Sequence, residues 1–300
     1  MRLTVSIDIN NNIGQSSDNL YKSIYIGKIN TMIYDSAKRK SPIIEELHAL
    51  FKYRDLLFQL VRRDIVARYK RSVLGVAWTM LNPLGTMLVM YVVFSHVFNR
   101  PENYPAYILT GITCWSTFTQ STTSAMKSMV WGSQLVRQIY VPRTTFVIST
   151  VLSNVVNFLI SLIPLFVILL LTHTPLHLSA LLLPIFVIYL FSFSLGIGLL
   201  LATLATFFPD VADFYPVVLR AWMYLTPIIM PLDFYKEILN GILLYINPFY
   251  YLVNLFRILV IDGFVPHLQT WIAVSIVSFV PLIIGWIVFC KKADSFAYNS

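Results

Sequence analysis

Six apolar runs follow one another along the chain, at residues 74–98, 105–126, 144–171, 181–207, 214–232 and 269–290, separated by polar or charged breaks. Each reaches or approaches the roughly 20 residues that a helix needs to cross a bilayer. The pattern therefore predicts an all-α, polytopic membrane protein with six transmembrane helices. The run 214–232 is the shortest, carries Arg220 and ends in Pro227 and Pro231. Pro83 predicts a kink in the first span, because its ring removes one backbone hydrogen bond and crowds the preceding turn.

The segments between and before these runs have patterns of their own. Residues 44–72 place Leu47, Leu50, Phe51, Leu57, Phe58, Val61, Ile65 and Tyr69 on one broad helical stripe, with Arg54 intruding and Leu56, Leu60 and Val66 off it. The opposite side is rich in Lys and Arg, which predicts an amphipathic interfacial helix along the inner membrane surface. A solvated helix of a cytoplasmic domain is the alternative. Residues 1–43 are polar, with three asparagines at 10–12 and no apolar core of signal-peptide length, and read as a cytoplasmic extension. In the break 127–143, Trp131, Leu135 and Ile139 recur every four residues, with Gln134, Arg137 and Gln138 beside them and Pro142 after. A short helix with one apolar ridge suits insertion into a groove of another protein. Between the last two spans, residues 233–268 contain an apolar run of about 14 residues from Pro248 to Ile261, too short to cross. It predicts a re-entrant or interfacial helix, with Asn247 as its N-cap and Pro248 in the first turn. Pro209 ends the fourth span at an inner turn that carries Asp210 and Asp213.

Composition agrees with lipid as the solvent. The chain is 57% apolar and 12% charged, against roughly 45–50% and about 25% in soluble domains, which excludes an ordinary soluble enzyme. The net charge of +8 has a topological explanation. With a cytoplasmic start, the inner segments 1–73, 127–143, 208–213 and 291–300 hold 18 Lys and Arg, and the outer ones only Arg100, Lys236 and Arg257. That imbalance is the positive-inside pattern. It places both termini in the cytoplasm and the protein in the inner (plasma) membrane, and leaves no need for a nucleic-acid partner. Cys114 and Cys290 sit in apolar runs without metal or redox spacing and read as packing residues.

The chemistry that is missing narrows the function. The six runs contain no Asp or Glu, and His96 and Arg220 are their only cation-forming residues, which weakens an ion-coupled carrier. No HExxH, nucleophile elbow or paired carboxylates next to a span mark a hydrolase or glycosyltransferase, apart from Asp210 and Asp213. No GxxxxGK[ST] occurs; Gly27-Lys28 is followed by Ile29. The chain is thus expected to hold no catalytic residue, metal or cofactor, and any uphill work must draw on a partner.

Three stretches carry a resemblance: LLFQLVRRDIVARYKRSVLGVAWTMLN at 56–82, LVRQIYVPR at 135–143 and YINPFYYLVNLFRILVIDG at 245–263. Together, in this order over about residues 45–292, they resemble the membrane subunit of ABC-type (type 2) polysaccharide exporters, most like the O-antigen and lipopolysaccharide export permeases. The resemblance implies a permease domain at 73–292, a cytoplasmic tail at 293–300, an outer gate at 233–268 and a coupling helix at about 131–141. It implies that Trp131, Leu135, Arg137, Ile139 and Tyr140 dock in a nucleotide-binding ATPase subunit, two copies of which bind the ATP and Mg. It further implies a homodimer enclosing an aromatic-lined tunnel for a lipid-linked polysaccharide. Trp78, Tyr107, Trp115, Phe118, Tyr224, Phe249, Tyr250 and Tyr251 are the tunnel or gate candidates, although aromatics near span ends also serve as interfacial anchors. Arg220 joins them, read either as a snorkelling cation or as a contact for a phosphate-bearing lipid carrier. The alternatives are an ABC exporter subunit for small amphiphiles or drugs, and a stand-alone flippase for lipid-linked sugars.

Overall fold

The computed structural model describes residues 42–70, 74–95, 103–130, 142–175, 177–237 and 241–292. The extension before residue 42, the expected coupling segment 131–141 and the tail after Lys292 lie outside the described residues. Among the described residues every regular element is helical. The helices are α1 (Pro42–Lys52), α2 (Arg54–Tyr69), α3 (Ala77–Phe94), α4 (Tyr104–Val130), α5 (Arg143–Leu171) and α6 (Leu183–Phe207, entered through a 3-10 turn at Leu178–Leu182). They continue as α7 (Val211–Leu225), α8 (Leu232–Glu237), α9 (Ile242–Ile246), α10 (Pro248–Arg257, extended by a π-helical turn at Ile258–Asp262) and α11 (Leu268–Lys292).

The expected single amphipathic helix is two helices. Tyr53 leaves helical geometry at φ −100 and ψ 20 and separates them. Leu60, off the expected stripe, is the buried residue of α2, with Leu57, Val61 and Ile65 of the stripe half-buried beside it, whereas Phe51 and Phe58 face outward. α1 is tied to the start of α5 where the Thr144 hydroxyl donates to Glu46 at 2.7 Å.

Among the described residues four elements are long and apolar enough to cross a membrane by length and composition: α3, α5, α6 with its 3-10 turn, and α11. Leu88, Val92, Ile163, Leu170, Ile276 and Ile283 on them point outward, as expected where the surroundings are hydrocarbon. α4 has 27 residues, about 40 Å at 1.5 Å per residue, but its sequence is crowded with Ser and Thr. The hydroxyls of Thr113, Thr117 and Thr122 turn back to the carbonyls of Leu109, Thr113 and Phe118, which hides their polarity inside the helix. α4 forms the centre, packed against α5 and α6, and α6 in turn packs on α11. The fifth expected span differs most. α7 stops at Leu225 after 15 residues, about 22 Å, and residues 226–231 are irregular because Pro227 and Pro231 cannot continue a helix.

Candidate functional site

The irregular stretch after α7 would be costly at membrane depth unless its peptide groups found partners inside the protein. Seven consecutive carbonyls are met by side chains. The Tyr235 hydroxyl shares its one proton between Tyr224 O at 2.8 Å and Thr226 O at 3.0 Å, and Asn247 Nδ2 donates to Leu225 O at 3.1 Å. Arg257 Nη1 donates to Pro227 O at 2.7 Å and Nη2 to Ile228 O at 3.2 Å. The Tyr104 hydroxyl reaches Ile229 O and the Tyr107 hydroxyl Met230 O, each at 3.1 Å.

Arg257 is the unusual member. It is buried, forms no ion pair among the described residues and leaves Nε without a partner. Its charge is met by the three carbonyls of Pro227, Ile228 and Tyr107 and by the Tyr107 ring, whose centroid lies 3.4 Å from the guanidinium carbon. Gly111 makes room for this arrangement, since a Cβ there would stand 3.0 Å from both Arg257 Nη2 and Ile228 O. Asn247 ties the break to α10. Its Oδ1 accepts from the Phe249 amide at 3.1 Å, which caps the helix as its sequence predicts. The same oxygen accepts from Trp222 Nε1 at 2.9 Å, and Nδ2 also donates to Thr226 Oγ1 at 2.8 Å.

A second polar region lies between α2, α3, α4 and α5. It is a crevice of about 300 Å³ lined by the basic junction at Arg68 and Tyr69, by Trp78, Thr79, Asn82 and Thr86 of α3, by Ser116, Thr117 and Gln120 of α4, and by Asn154, Asn157 and Ser161 of α5. Arg68 Nη2 donates to Asn154 Oδ1 at 3.1 Å and the Tyr69 hydroxyl to Asn157 Oδ1 at 2.7 Å. Asn157 is buried and its Nδ2 has no partner.

The structure separates the expected tunnel and gate residues. Trp115, Phe118 and Phe249 are buried and pack on one another and on Trp222 with centroids 5.0 to 6.5 Å apart. They form a core cluster of this chain, because α4, α7 and α10 converge there. Tyr107 is buried in the carbonyl network. Trp78 is 53% exposed and Tyr224 56% exposed, Arg220 is exposed on the same helix as Tyr224, and Tyr250 and Tyr251 are half-buried neighbours at 5.4 Å. Trp131, Leu135, Arg137, Ile139 and Tyr140 lie outside the described residues. Sequence reasoning placed Arg257 among the outer-loop cations and gave Asn154 and Asn157 no role. The available signal was a lone charged or amide residue inside an otherwise apolar run.

The description "ABC-2 type transporter" fits a family model that matches residues 55–261, well over half of the chain. The chain belongs to the ABC-2 type transporter family. It is 28% identical over 258 residues to the O-antigen export system permease protein RfbA of Myxococcus xanthus, an alignment covering 85% of this chain and 99% of that protein. Its identity to an RfbA of Klebsiella pneumoniae is 29% over 245 residues, covering 81% and 94%. To the polysialic acid transport protein KpsM of Escherichia coli it is 22% over 240 residues, covering 79% and 93%. In this ABC-2 transporter chain the matched region runs from α2 to the π-helical turn and so contains both the crevice and the capped break, with α11 beyond it.

Proposed function

We propose that this chain is the membrane-spanning permease subunit of an ABC exporter that moves a lipid-linked polysaccharide from the cytoplasmic face of the inner membrane outward. One observation carries the reading: the alignment with an O-antigen export permease along 99% of that protein. The likeness to a polysialic acid transport protein supports a sugar polymer as cargo. In this reading α4 and α7 complete six spans, the break at 226–231 with α8 to α10 forms the outer gate, and both termini are cytoplasmic. Two copies enclose the tunnel. Asn82, Gln120, Arg220 and Tyr224 are exposed on the isolated subunit, and groups of this polarity are costly against lipid tails. A second copy or a water-filled glycan path would meet them.

Energy enters from two ATPase subunits docked beneath residues 131–141, with ATP and Mg held by those subunits. ATP-driven closure of the pair biases the membrane halves between two states by differential binding. The test is reconstitution with a P-loop ATPase partner in vesicles, with polysaccharide export followed against ATP. Double truncation, Leu135→Ala with Ile139→Ala, should leave ATP hydrolysis running and lower export at least tenfold. Export that persists with a hydrolysis-dead partner, or a lone chain that exports unaided, refutes the proposal. Transport of small amphiphiles without polysaccharide would favour the drug-exporter alternative.

A further inference from the structure

The crevice between α2, α3, α4 and α5 carries the chemistry of a ligand site. Its mouth holds Arg68, whose guanidinium spends one N–H on Asn154 Oδ1 and has no carboxylate partner among the described residues. Asp64, one turn earlier on α2, is taken by Arg63 at 2.9 Å. A guanidinium with free N–H groups and no anion is a natural phosphate contact, because its planar fork matches two phosphate oxygens.

Behind Arg68 the wall changes character. The side-chain amides of Asn82 and Gln120 make no hydrogen bond among the described residues, and Asn157 Nδ2, on a side chain only 8% exposed, has none either. A buried amide N–H without a partner is destabilising, and a ligand that accepts from it removes that cost. Trp78 adds a flat apolar face beside these amides. Amides that donate and accept, next to an aromatic face, match the alternating hydroxyls and C–H faces of a sugar ring. The volume of about 300 Å³ lies at the lower end of the roughly 300–1,000 Å³ of small-ligand sites, which suits a phosphate with one sugar ring.

The position says where the ligand comes from. α3 lines the crevice with Trp78, Thr79, Asn82 and Thr86, and one turn further it presents Leu88, Val89, Val92 and Val93 outward. The polar hollow therefore continues into a lipid-facing surface on the same helix.

We propose that this crevice binds the phosphosugar headgroup of a membrane lipid, with Arg68 on the phosphate, Asn82, Gln120 and Asn157 on the first sugar, and the lipid tail left beside α3. The assignment rests on the exporter reading, for which it names the place where the lipid end of the cargo is held and the residues that read its proximal sugar. A soluble sugar phosphate shares the headgroup chemistry but lacks the tail.

The experiment uses the full chain in nanodiscs and measures equilibrium binding of farnesyl-diphosphate-N-acetylglucosamine, of farnesyl diphosphate, of UDP-N-acetylglucosamine and of phosphatidylglycerol. The sugar-bearing lipid should bind at least tenfold tighter than the other three. Arg68→Gln should weaken both farnesyl probes tenfold or more, whereas Asn157→Leu should bring the sugar-bearing probe to the level of the sugar-free one. Arg62→Gln, on the same helix but away from the crevice, should change neither, and Arg68→Lys should recover part of the lost affinity. Heat-stability measurements on each variant confirm that it is folded. Unchanged affinities in folded Arg68→Gln and Asn157→Leu overturn the assignment, as does equal binding of UDP-N-acetylglucosamine. If these variants bind normally while the reconstituted complex exports polysaccharide, the crevice assignment fails and the exporter reading stands. If the probe binds through Arg68 but the complex moves only small amphiphiles, the exporter reading fails and the headgroup site stands.

Discussion

At the crossing of α6 on α11 one added methyl group should push two helix backbones apart. A Cβ built on Gly196 would stand 2.5 Å from Pro281 C and 2.7 Å from Leu282 Cα, and closer still to Leu282 N. One built on Gly285 would stand 3.1 Å from Gly196 C and would overlap Gly196 O. Ordinary Cβ contacts begin at 3.4 Å, so Gly196→Ala demands that two helix backbones separate by about 1 Å at their crossing. No rotamer can relieve this, because the opposing atoms are main chain. Overpacking costs about 1–3 kcal/mol where side chains can still adjust, and this site belongs at the top of that range. Against it stands the gain of about 1 kcal/mol from replacing a helix-interior glycine by alanine. The net expected loss is about 2 kcal/mol, or about 4–8 °C in the midpoint for a domain near this size. Gly85→Ala is the matched control: nothing lies within 4 Å of its Cβ, so only the propensity gain remains and its midpoint should hold or rise. Fluorescence-detected size-exclusion chromatography after stepwise heating reads both. A Gly196→Ala midpoint at or above wild type, or an equal fall in Gly85→Ala, would refute the argument that backbone contact is what this crossing needs.

Two further predictions concern the capped break. Arg257→Lys keeps the buried cation but loses the fork onto Pro227 O and Ile228 O and the flat contact with Tyr107, whereas Arg257→Met removes the cation as well. Because an unmatched buried charge is worse than none, Arg257→Lys should melt lower than Arg257→Met, by about 1 kcal/mol or more, and both should impair export; the reverse melting order would contradict the account. Asn247→Ala removes the α10 cap and strands Trp222 Nε1 and Leu225 O, for an expected loss of about 2–4 kcal/mol. Thermal melting together with faster hydrogen exchange at the Phe249 amide checks it, and unchanged exchange there would remove the capping argument.

Local rules carried far in this chain where they needed no partner element. The runs at 144–171, 181–207 and 269–290 became α5, α6 and α11 with ends shifted by few residues, because length and hydropathy alone decide such helices. The Asn247-Pro248 start of α10 was equally legible, since a cap is a contact between neighbours in sequence. The helix of run 214–232 ends early, at Leu225, for a local reason already visible in it: Pro227 and Pro231 cannot continue it, and hydropathy summed over the window conceals that. The covered side of α2 has a different cause. A stripe drawn over 44–72 assumes one unbroken helix and one packing face, and which side of α2 is covered is decided by the distant α5 on which it packs.

The two polar regions were illegible because each is assembled from distant parts of the chain. The donors that hold residues 224–230 come from positions 104, 107, 235, 247 and 257, and no window of sequence contains them together. Arg257 counts as one outer cation in a charge tally, yet a cation followed by Ile258, Leu259 and Val260 and preceded by Leu255 and Phe256 has no water to reach along its own helix. It must be neutralised by backbone dipoles, and the broken stretch supplies two of the three carbonyls that do so, with Tyr107 O of α4 as the third. The prolines at 227 and 231 and the arginine at 257 therefore explain each other: the prolines free the acceptors, and the arginine makes the burial of two of them, Pro227 O and Ile228 O, tolerable.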